Sequence, residues 1–242
     1  MTTGSGDGED LPPFTYAFQP IVDATKREII SYEALVRGPN GESAGAVLAL
    51  VTGGALERLD RAGRLVAVSL AGELGLSCSL NLNVLPQNVR SSDTDLDALL
   101  RVAGECGIGP ERLVLEVTEG EAIGDAAAFA RAIDEYRGAG VRVAIDDFGA
   151  GYAGLNLLAD FQPDVIKLDM HLIRNIESRG PRQSIVHAII AVCRDLGIDV
   201  VAEGVESPSE FEWLDGAGVY LFQGYLFARP GLAQLAPATY PR

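Results

Sequence analysis

Cysteines are few in this sequence and follow no pattern. Its 242 residues include Cys78, Cys106 and Cys193, an odd number without the spacing of a disulfide framework or a zinc site. We expect free thiols that fill small apolar spaces, as in a protein of a reducing, cytoplasmic compartment. Long apolar runs are also missing: none reaches the ~18 residues of a membrane-spanning helix. The first residues do not resemble a secretory signal, so we expect a cytoplasmic protein with no membrane span.

Positive charge is scarce. The chain has 19 Lys and Arg against 34 Asp and Glu, a formal net charge of −15 at pH 7. Such a surface repels a phosphate backbone, so DNA is not an expected partner. The same excess of carboxylates suits a protein that holds cations.

Apolar residues make up 48% of the chain, which is enough for one full core at this length. Residues 1–13 are rich in glycine and acidic residues, and we expect this N-terminal segment to be disordered. No Pro- or Gly-rich linker divides the remainder. Residues 14–242 are therefore predicted to form a single domain.

Two adjacent carboxylates, Asp146 and Asp147, end a β-branched run and precede a glycine-rich turn. Alternation along a strand would point them to opposite faces, so they can serve one site only where the strand ends and the chain turns. Their repulsion is relieved by a cation, and carboxylate oxygens favour Mg²⁺, Mn²⁺ or Ca²⁺ over Zn²⁺. By itself the pattern fits an ordinary turn equally well, because Asp and Gly are common turn residues.

Other predicted strands also carry polar residues within or at the end of apolar runs. They are Glu33 in the strand predicted at 29–37, Asn81 and Asn83 at 79–84, Glu116 at 113–119, Lys167 and Asp169 at 164–169, and Glu203 and Glu206 at 198–206. Charged and amide groups inside strands require partners. A shared site for these groups is therefore favoured over isolated polar positions.

The order of the predicted elements indicates the fold. Further strands are predicted at 14–22, 141–147 and 220–225, and helices at 46–75 (two, divided by Gly53-Gly54), 96–106, 125–138, 155–161, 181–196 and from 208. The first two strands are joined by a short turn and should be antiparallel. Eight strands with intervening helices, in a length near ~250 residues, predict an α/β TIM-type barrel. An open doubly wound sheet is the alternative, but no Gly-x-Gly-x-x-Gly turn follows the first strand.

The motifs of this sequence resemble those of a known family, the EAL domains, which are bacterial phosphodiesterases of cyclic di-GMP. The resemblance extends over about residues 14–230 and rests on motifs that arrive in the family's order. These are Gln19-Pro20-Ile21-Val22, Glu33-Ala34-Leu35-Val36-Arg37, the Asn83 strand, Glu116-Val117-Thr118-Glu119, Asp146-Asp147-Phe148-Gly149, Lys167-Leu168-Asp169, Glu203-Gly204-Val205-Glu206 and Gln223-Gly224-Tyr225. The resemblance implies a TIM-type (β/α)8 barrel whose first strand is antiparallel to the second.

The resemblance also implies roles for individual residues. The metal ligands would be Glu33, Asn83, Glu116 and Asp146, with Asp146 bridging to a second ion that Asp147 also holds. Asn83 is preferred to Asn81 because that register places the apolar Val89 where the family has an apolar residue. Lys167 and Glu203 would position and polarise the attacking water. Substrate contacts would come from Gln19, Leu35, Arg37, Glu206 and Gln223, while Asp169 would act from behind the ligands.

The implied reaction is hydrolysis of cyclic di-GMP to linear 5′-pGpG with two Mg²⁺ or Mn²⁺ ions. Such ions stabilise the attacking and leaving oxygens together. Ca²⁺ prefers a larger and looser coordination sphere and is expected to inhibit. The alternative is a catalytically weak domain that acts as a cyclic di-GMP receptor or a protein-interaction module. A metabolic barrel enzyme acting on small phosphates is a third, more distant, interpretation.

One departure from the usual motifs concerns regulation. Arg37 is followed by Gly38-Pro39-Asn40 where many members have an aromatic residue, and this resembles the subgroup found fused to blue-light sensors. A sensor or regulatory partner protein is therefore expected. EAL domains commonly pair near the loop after the double aspartate, so a homodimer through residues 152–159 is also predicted.

Overall fold

The turn between the first two strands joins them as antiparallel neighbours, as the sequence predicts. The structure is a computed structural model that describes residues 11–52, 54–85, 88–89, 93–118, 126–150, 158 and 162–241. Strands β1 (Thr15–Asp23) and β2 (Glu28–Arg37) pair along their lengths, with Gln19 opposite Glu33. Residues 1–10 lie outside the described part, so the predicted domain boundary at residue 14 stays a prediction.

The next six strands run parallel to β2. They are β3 (Ser79–Asn83), β4 (Leu113–Thr118), β5 (Arg142–Phe148), β6 (Val165–Leu168), β7 (Asp199–Ala202) and β8 (Leu221–Phe222). Strand β1 pairs antiparallel with both β2 and β8 and so closes the sheet, and a short β9 (Gly231–Leu232) adds to β1. The predicted TIM-type barrel is confirmed, and the open doubly wound sheet is wrong.

Helices connect the parallel strands. They are α1 (Ala44–Leu48), α2 (Ala55–Glu73), α3 (Asp93–Glu105), α4 (Ala126–Gly138), α5 (Met170–Ile173), α6 (Gly180–Leu196) and α7 (Pro208–Gly216). The helix predicted from residue 208 is α7, and a capping box begins it: the side chains of Ser207 and Glu210 each accept a hydrogen bond from the other's backbone N–H. The helix predicted at 155–161 lies outside the described residues except for Leu158, which is helical and buried. No helix in the described part is long and apolar enough to cross a membrane.

The barrel interior has an apolar floor and a polar upper layer. The floor is the small cluster of Ile21, Val114, Ala144, Val165, Val201 and Leu221. Because side chains alternate along a strand, the residue two positions further on faces the same way. Those positions on the parallel strands are Glu116, Asp146, Lys167, Glu203 and Gln223, toward the C-terminal mouth. The outward faces pack against the helices in the main core, which also contains Cys193; all three cysteines are free, as predicted.

A glycine holds the turn that follows β8 and carries Gln223. Gly224 has a φ of 156°, and a Cβ placed there would overlap the backbone carbonyl of Val205. We predict that Gly224→Ala destabilises the protein by about 3 kcal/mol or more, because the obstacle is backbone and not a side chain that can move aside. Urea unfolding checks this. Gly104→Ala, at an exposed position near the end of α3 with open space around it, is the control and should be neutral or slightly stabilising.

Candidate active site

A break in the register of β5 brings the two adjacent aspartates to one site. The pairing with β6 shifts between Ile145 and Phe148, and Asp147 adopts a left-handed φ of 54°. The strand does not end at the aspartates as predicted, since it continues to Phe148. A bulge within the strand has the same effect as a strand end, because it rotates the side chain of Asp147 away from the face that alternation would give it. Both carboxylates therefore line the same cavity.

That cavity lies at the C-terminal mouth of the barrel. Its volume is about 220 Å³, and its lining residues are Glu33, Asp146, Asp147, Asp169, Met170, Glu203, Gly204 and Gln223. Six of these eight were predicted at the site from the sequence. Met170 and Gly204 were not, because neither an apolar residue nor a glycine after a strand has a local pattern that indicates a site.

Lys167 stands at the centre of the polar layer. Its Nζ lies 2.6 Å from Glu203 Oε1, 2.7 Å from Glu116 Oε1, 3.0 Å from Asp146 Oδ1 and 3.2 Å from Glu33 Oε2. The side chain is 0% exposed. Burial alone would lower the pKa of Lys167, but the surrounding carboxylates hold that pKa well above its usual value. The lysine therefore stays charged in the core of the barrel.

One ammonium does not balance this many carboxylates. Burial raises the pKa of Glu116 and of Glu203, and the negative charges of Asp146 and Glu33 raise both further, against the opposing effect of Lys167. Burial, followed by the charges of Asp146 and Asp169, also raises the pKa of Asp147 to about 6. The site thus carries an excess of negative charge that a cation would relieve.

The donor set fits divalent metal ions. Oxygens of Glu33, Glu116 and Asp146 lie within 4.8 Å of one another, and so do oxygens of Asp146, Asp147 and Glu203. Two buried oxygens, Glu116 Oε2 and Asp146 Oδ1, accept no hydrogen bond from the described residues, although Asp146 Oδ1 is 3.0 Å from Lys167 Nζ. Hard, all-oxygen donors of this kind suit Mg²⁺ or Mn²⁺. Asp146 belongs to both groups.

The two asparagines of β3 occupy different levels of the barrel. Asn83 lies at the end of the strand beside Glu116 of β4, and its Nδ2 is 3.3 Å from Glu33 Oε1. Asn81 lies deeper, and its Nδ2 donates to Glu116 Oε1 at 2.7 Å. Asn83 thus lies at the mouth next to Glu33 and Glu116, and its role as the amide ligand stays a prediction.

The predicted substrate contacts are spread more widely. Gln223 Nε2 donates to Glu33 Oε2 at 2.8 Å, and Gln19 Nε2 donates to the Ala228 carbonyl at 3.1 Å. Leu35 and Arg37 are half-buried near the end of β2, and Arg37 donates to its neighbour's carbonyl. Glu206 does not line the cavity; it pairs with Arg174 at 3.2 Å. Arg174 also donates to the Gly204 carbonyl and so ties down the segment that carries Glu203.

Asp169 follows β6 and does not lie within it as predicted. It is the N-cap of α5, and its Oδ1 accepts from the backbone N–H of His171 at 2.9 Å. It still lines the cavity and contributes to the raised pKa of Asp147. Glu119, which the sequence leaves outside the ligand set, lies outside the described residues.

The chain matches the model of a known protein family. The model of the EAL domain matches residues 11–230. A similar curated protein is the blue light- and temperature-regulated antirepressor BluF of Escherichia coli K12, 38% identical over 93% of this chain and 56% of the relative. Another is the cyclic di-GMP phosphodiesterase PdeR of the same organism, 35% identical over 64% of this chain and 23% of the relative. The chain thus spans about half of BluF and less of PdeR.

Similar solved structures have the same barrel. A standalone EAL protein from Vibrio cholerae O395, described in a c-di-GMP-bound form, has a TM-score of 0.90 at 44% identity, covering 93% of this chain and 95% of that one. Klebsiella pneumoniae BlrP1, described as a manganese and cyclic di-GMP complex, has a TM-score of 0.87 at 41% identity, covering 91% of this chain and 57% of that one.

Proposed function

The chain belongs to the EAL domain family, and from this premise we propose that it hydrolyses cyclic di-GMP to linear 5′-pGpG with Mg²⁺ or Mn²⁺. The observation that carries the proposal is the cluster of Glu33, Glu116, Asp146 and Glu203 around the buried Lys167. A binding module would not need so many repelling carboxylates in one buried layer. The names of PdeR and of the Vibrio and Klebsiella structures supply the substrate class.

Two groups of residues would hold the metal ions. Glu33, Asn83, Glu116 and Asp146 would bind one ion, and Asp146 with Asp147 the other. When bound, such ions neutralise charge on the phosphodiester and lower the pKa of water. These carboxylates repel one another in the metal-free protein. The positive charge of Lys167 offsets that repulsion until the ions bind.

Lys167 and Glu203 are proposed to handle the attacking water. The Nζ of Lys167 donates to that water and to negative charge developing on the phosphoryl oxygens. Glu203 Oε1 lies 2.6 Å from Nζ and accepts the proton that the water releases. Attack by the water oxygen forms a new bond to phosphorus and breaks one P–O3′ bond. The O3′ oxygen that leaves takes up a proton from solvent, and the cyclic dinucleotide opens to its linear form.

The remaining polar residues are proposed to bind substrate. Arg37 suits a phosphate group, because its planar guanidinium matches two oxygens at once. Gln19, Leu35 and Gln223 complete the proposed surface. The contact predicted for Glu206 stays a proposal from the sequence alone, since Glu206 pairs with Arg174 and does not line the cavity. Gln223 has a second task, since its bond to Glu33 holds that ligand in place.

The test is an assay of the purified chain with cyclic di-GMP and Mg²⁺ or Mn²⁺, followed by chromatography and mass spectrometry. The expected result is conversion to 5′-pGpG that stops when EDTA is added. Binding of cyclic di-GMP without any conversion in either metal would contradict the proposal. That outcome would favour a second candidate, a cyclic di-GMP receptor or protein-interaction module, which the antirepressor BluF suggests by its name.

Calcium is predicted to support ligand binding but not turnover. Ca²⁺ accepts the same oxygen ligands as Mg²⁺ at longer distances and with more of them. The geometry that lets two ions act on one phosphodiester is then lost. Competition of Ca²⁺ against Mn²⁺ in the hydrolysis assay, with calorimetric measurement of cyclic di-GMP binding in Ca²⁺, checks this. Turnover in Ca²⁺ equal to that in Mg²⁺ would refute the prediction.

We also propose a homodimer and a regulatory partner protein. The predicted dimer segment at 152–159 lies outside the described residues except for Leu158, which is 3% exposed and belongs to the core. The proposal therefore rests on the sequence, in which Leu157 is apolar but does not share the helical spacing of Tyr152, Leu155 and Leu158. Light scattering and specific activity over a dilution series should show a dimer that Leu157→Glu dissociates. A monomer with constant specific activity at all concentrations would end this proposal.

A further inference from the structure

A buried amide lies beneath one of the proposed metal ligands. Asn81 of β3 is 4% exposed and donates from Nδ2 to Glu116 Oε1 at 2.7 Å. Its Oδ1 accepts from the hydroxyl of Ser31 on β2. The side chains of Ser31, Asn81 and Glu116, on three neighbouring strands, are thus connected by consecutive hydrogen bonds.

The donors and acceptors in this series of hydrogen bonds determine the orientation of the Asn81 side-chain amide. With a cation bound, Glu116 would be ionised and its carboxylate would only accept hydrogen bonds, so the NH₂ group of Asn81 must face it. The Ser31 hydroxyl then supplies the donor that the amide oxygen requires. Without that hydroxyl the buried amide oxygen would lack a partner, and Asn81 would be held less firmly. Ser31 therefore supports the orientation that the carboxylate of Glu116 imposes on Asn81.

The contacts of Glu116 are confined to one of its two oxygens. Oε1 receives both the Asn81 amide and Lys167 Nζ, each at 2.7 Å. Oε2 is buried and accepts no hydrogen bond from the described residues. A buried oxygen without a hydrogen-bond partner lowers the stability of the folded protein unless another group, such as a cation, binds it. The arrangement directs one oxygen inward and leaves the other for a ligand.

We propose that Asn81 is a positioning residue that, held in place by its hydrogen bond from Ser31, keeps Glu116 oriented so that Oε2 is free to bind a divalent cation. This inference rests on the proposed metal-dependent function. Hydrogen bonds behind a metal ligand commonly change metal affinity or activity by roughly 10–100-fold when removed. From the sequence, Asn81 and Asn83 are alternative candidates for the amide ligand. In this proposal Asn83 is the ligand and Asn81 positions Glu116.

The experiment measures Mn²⁺ binding to the whole chain by electron paramagnetic resonance, without cyclic di-GMP. Asn81→Leu removes the amide while keeping the branched shape, so no cavity is created. Mn²⁺ affinity at the Glu116 site is expected to fall roughly 10–100-fold. Ser31→Ala deletes only a hydroxyl and should lower affinity by a smaller factor. At saturating Mn²⁺ the Asn81→Leu protein should recover most of its kcat for cyclic di-GMP hydrolysis.

Leu80→Ala is the matched control. It lies next to Asn81 on β3 but faces the outer core, where it is fully buried. It should lower stability in urea unfolding without changing Mn²⁺ affinity, whereas the Asn81 and Ser31 variants should change affinity. A role of Asn81 in packing alone predicts the opposite for Asn81→Leu: lower stability and unchanged affinity.

Two results would overturn the inference. One is Asn81→Leu protein with wild-type Mn²⁺ affinity; if that variant does not fold, Ser31→Ala with wild-type affinity has the same meaning. The other is wild-type protein that binds no Mn²⁺ at Glu116, which would also remove the proposed function. Wild-type protein that binds Mn²⁺ but leaves cyclic di-GMP intact would reject only the proposed function, because the affinity comparison does not use substrate.

Discussion

Lys167→Met is expected to leave a layer of buried carboxylates without its central cation. The Nζ contacts four of them within 3.2 Å, and the side chain has no access to solvent. Removing one partner of a buried ion pair typically destabilises a protein by about 3–5 kcal/mol. Loss of a preorganised donor at the reaction centre also lowers the rate by roughly 10²–10³-fold. Both effects should appear in this one variant.

The stability effect should depend on metal. Urea unfolding of Lys167→Met in EDTA is expected to show the full loss, and Mn²⁺ should restore part of it because the ions supply the missing positive charge. Lys26→Met is the matched control, since Lys26 is exposed and pairs with Asp23 at the other end of the barrel. Its unfolding and activity should scarcely change.

The kinetic effect should fall on kcat. Lys167 lies within the polar layer and contacts carboxylates, so we assign it to the chemical step and not to holding the bases of the substrate. If the variant kept its kcat and showed only a higher KM, Lys167 would be a binding residue. Its place in the mechanism would then have to be given up.

Glu33→Gln is expected to abolish hydrolysis while leaving the fold intact. Glu33 Oε2 receives Lys167 Nζ at 3.2 Å and Gln223 Nε2 at 2.8 Å, and its Oε1 receives Asn83 Nδ2 at 3.3 Å. An amide of the same shape binds a divalent ion far more weakly. Since metal stabilisation of the reacting charge is worth several kcal/mol, the rate should fall by about 10³-fold or more.

Unlike Lys167→Met, Glu33→Gln should not lower the free energy of unfolding. Neutralising one of several repelling carboxylates should leave the metal-free protein as stable as the wild type, or slightly more stable. Asp199→Asn is the control for the change of charge, because Asp199 pairs with Arg142 at the opposite end of the barrel. Wild-type turnover by Glu33→Gln with metal present would remove Glu33 from the ligand set.

Local sequence was sufficient to find the barrel and most of the cavity lining. Glu33, Glu116 and Lys167 each interrupt an apolar run, and a charge in such a run is conspicuous without knowledge of its neighbours. The short turn at residues 24–27 forces antiparallel pairing of the first strands for purely geometric reasons. These features depend on residues close together in the chain, so they could be predicted.

Strand ends were less predictable. The strands predicted to reach Glu206 and Tyr225 end at Ala202 and Phe222, and the turn after β8 depends on the approach of Gly224 to Val205. Asp147 reaches the cavity through a register shift against β6 and not through the end of its strand. A shift of this kind is a property of two strands together, so the sequence of one strand does not contain it.

Residue type and spacing reveal which strand positions inside the barrel are polar, but the partner of each polar side chain depends on how the strands are assembled. Lys167 meets Glu33 across 134 positions of the chain. Asn81 lies under Glu116 while Asn83 lies at the mouth, and Glu206 turns to Arg174, away from the cavity. These partnerships follow from barrel closure, which sets the height of each strand relative to its neighbours. Hydrogen bonds and ion pairs act over a few ångströms, so strand height decides them and local pattern does not.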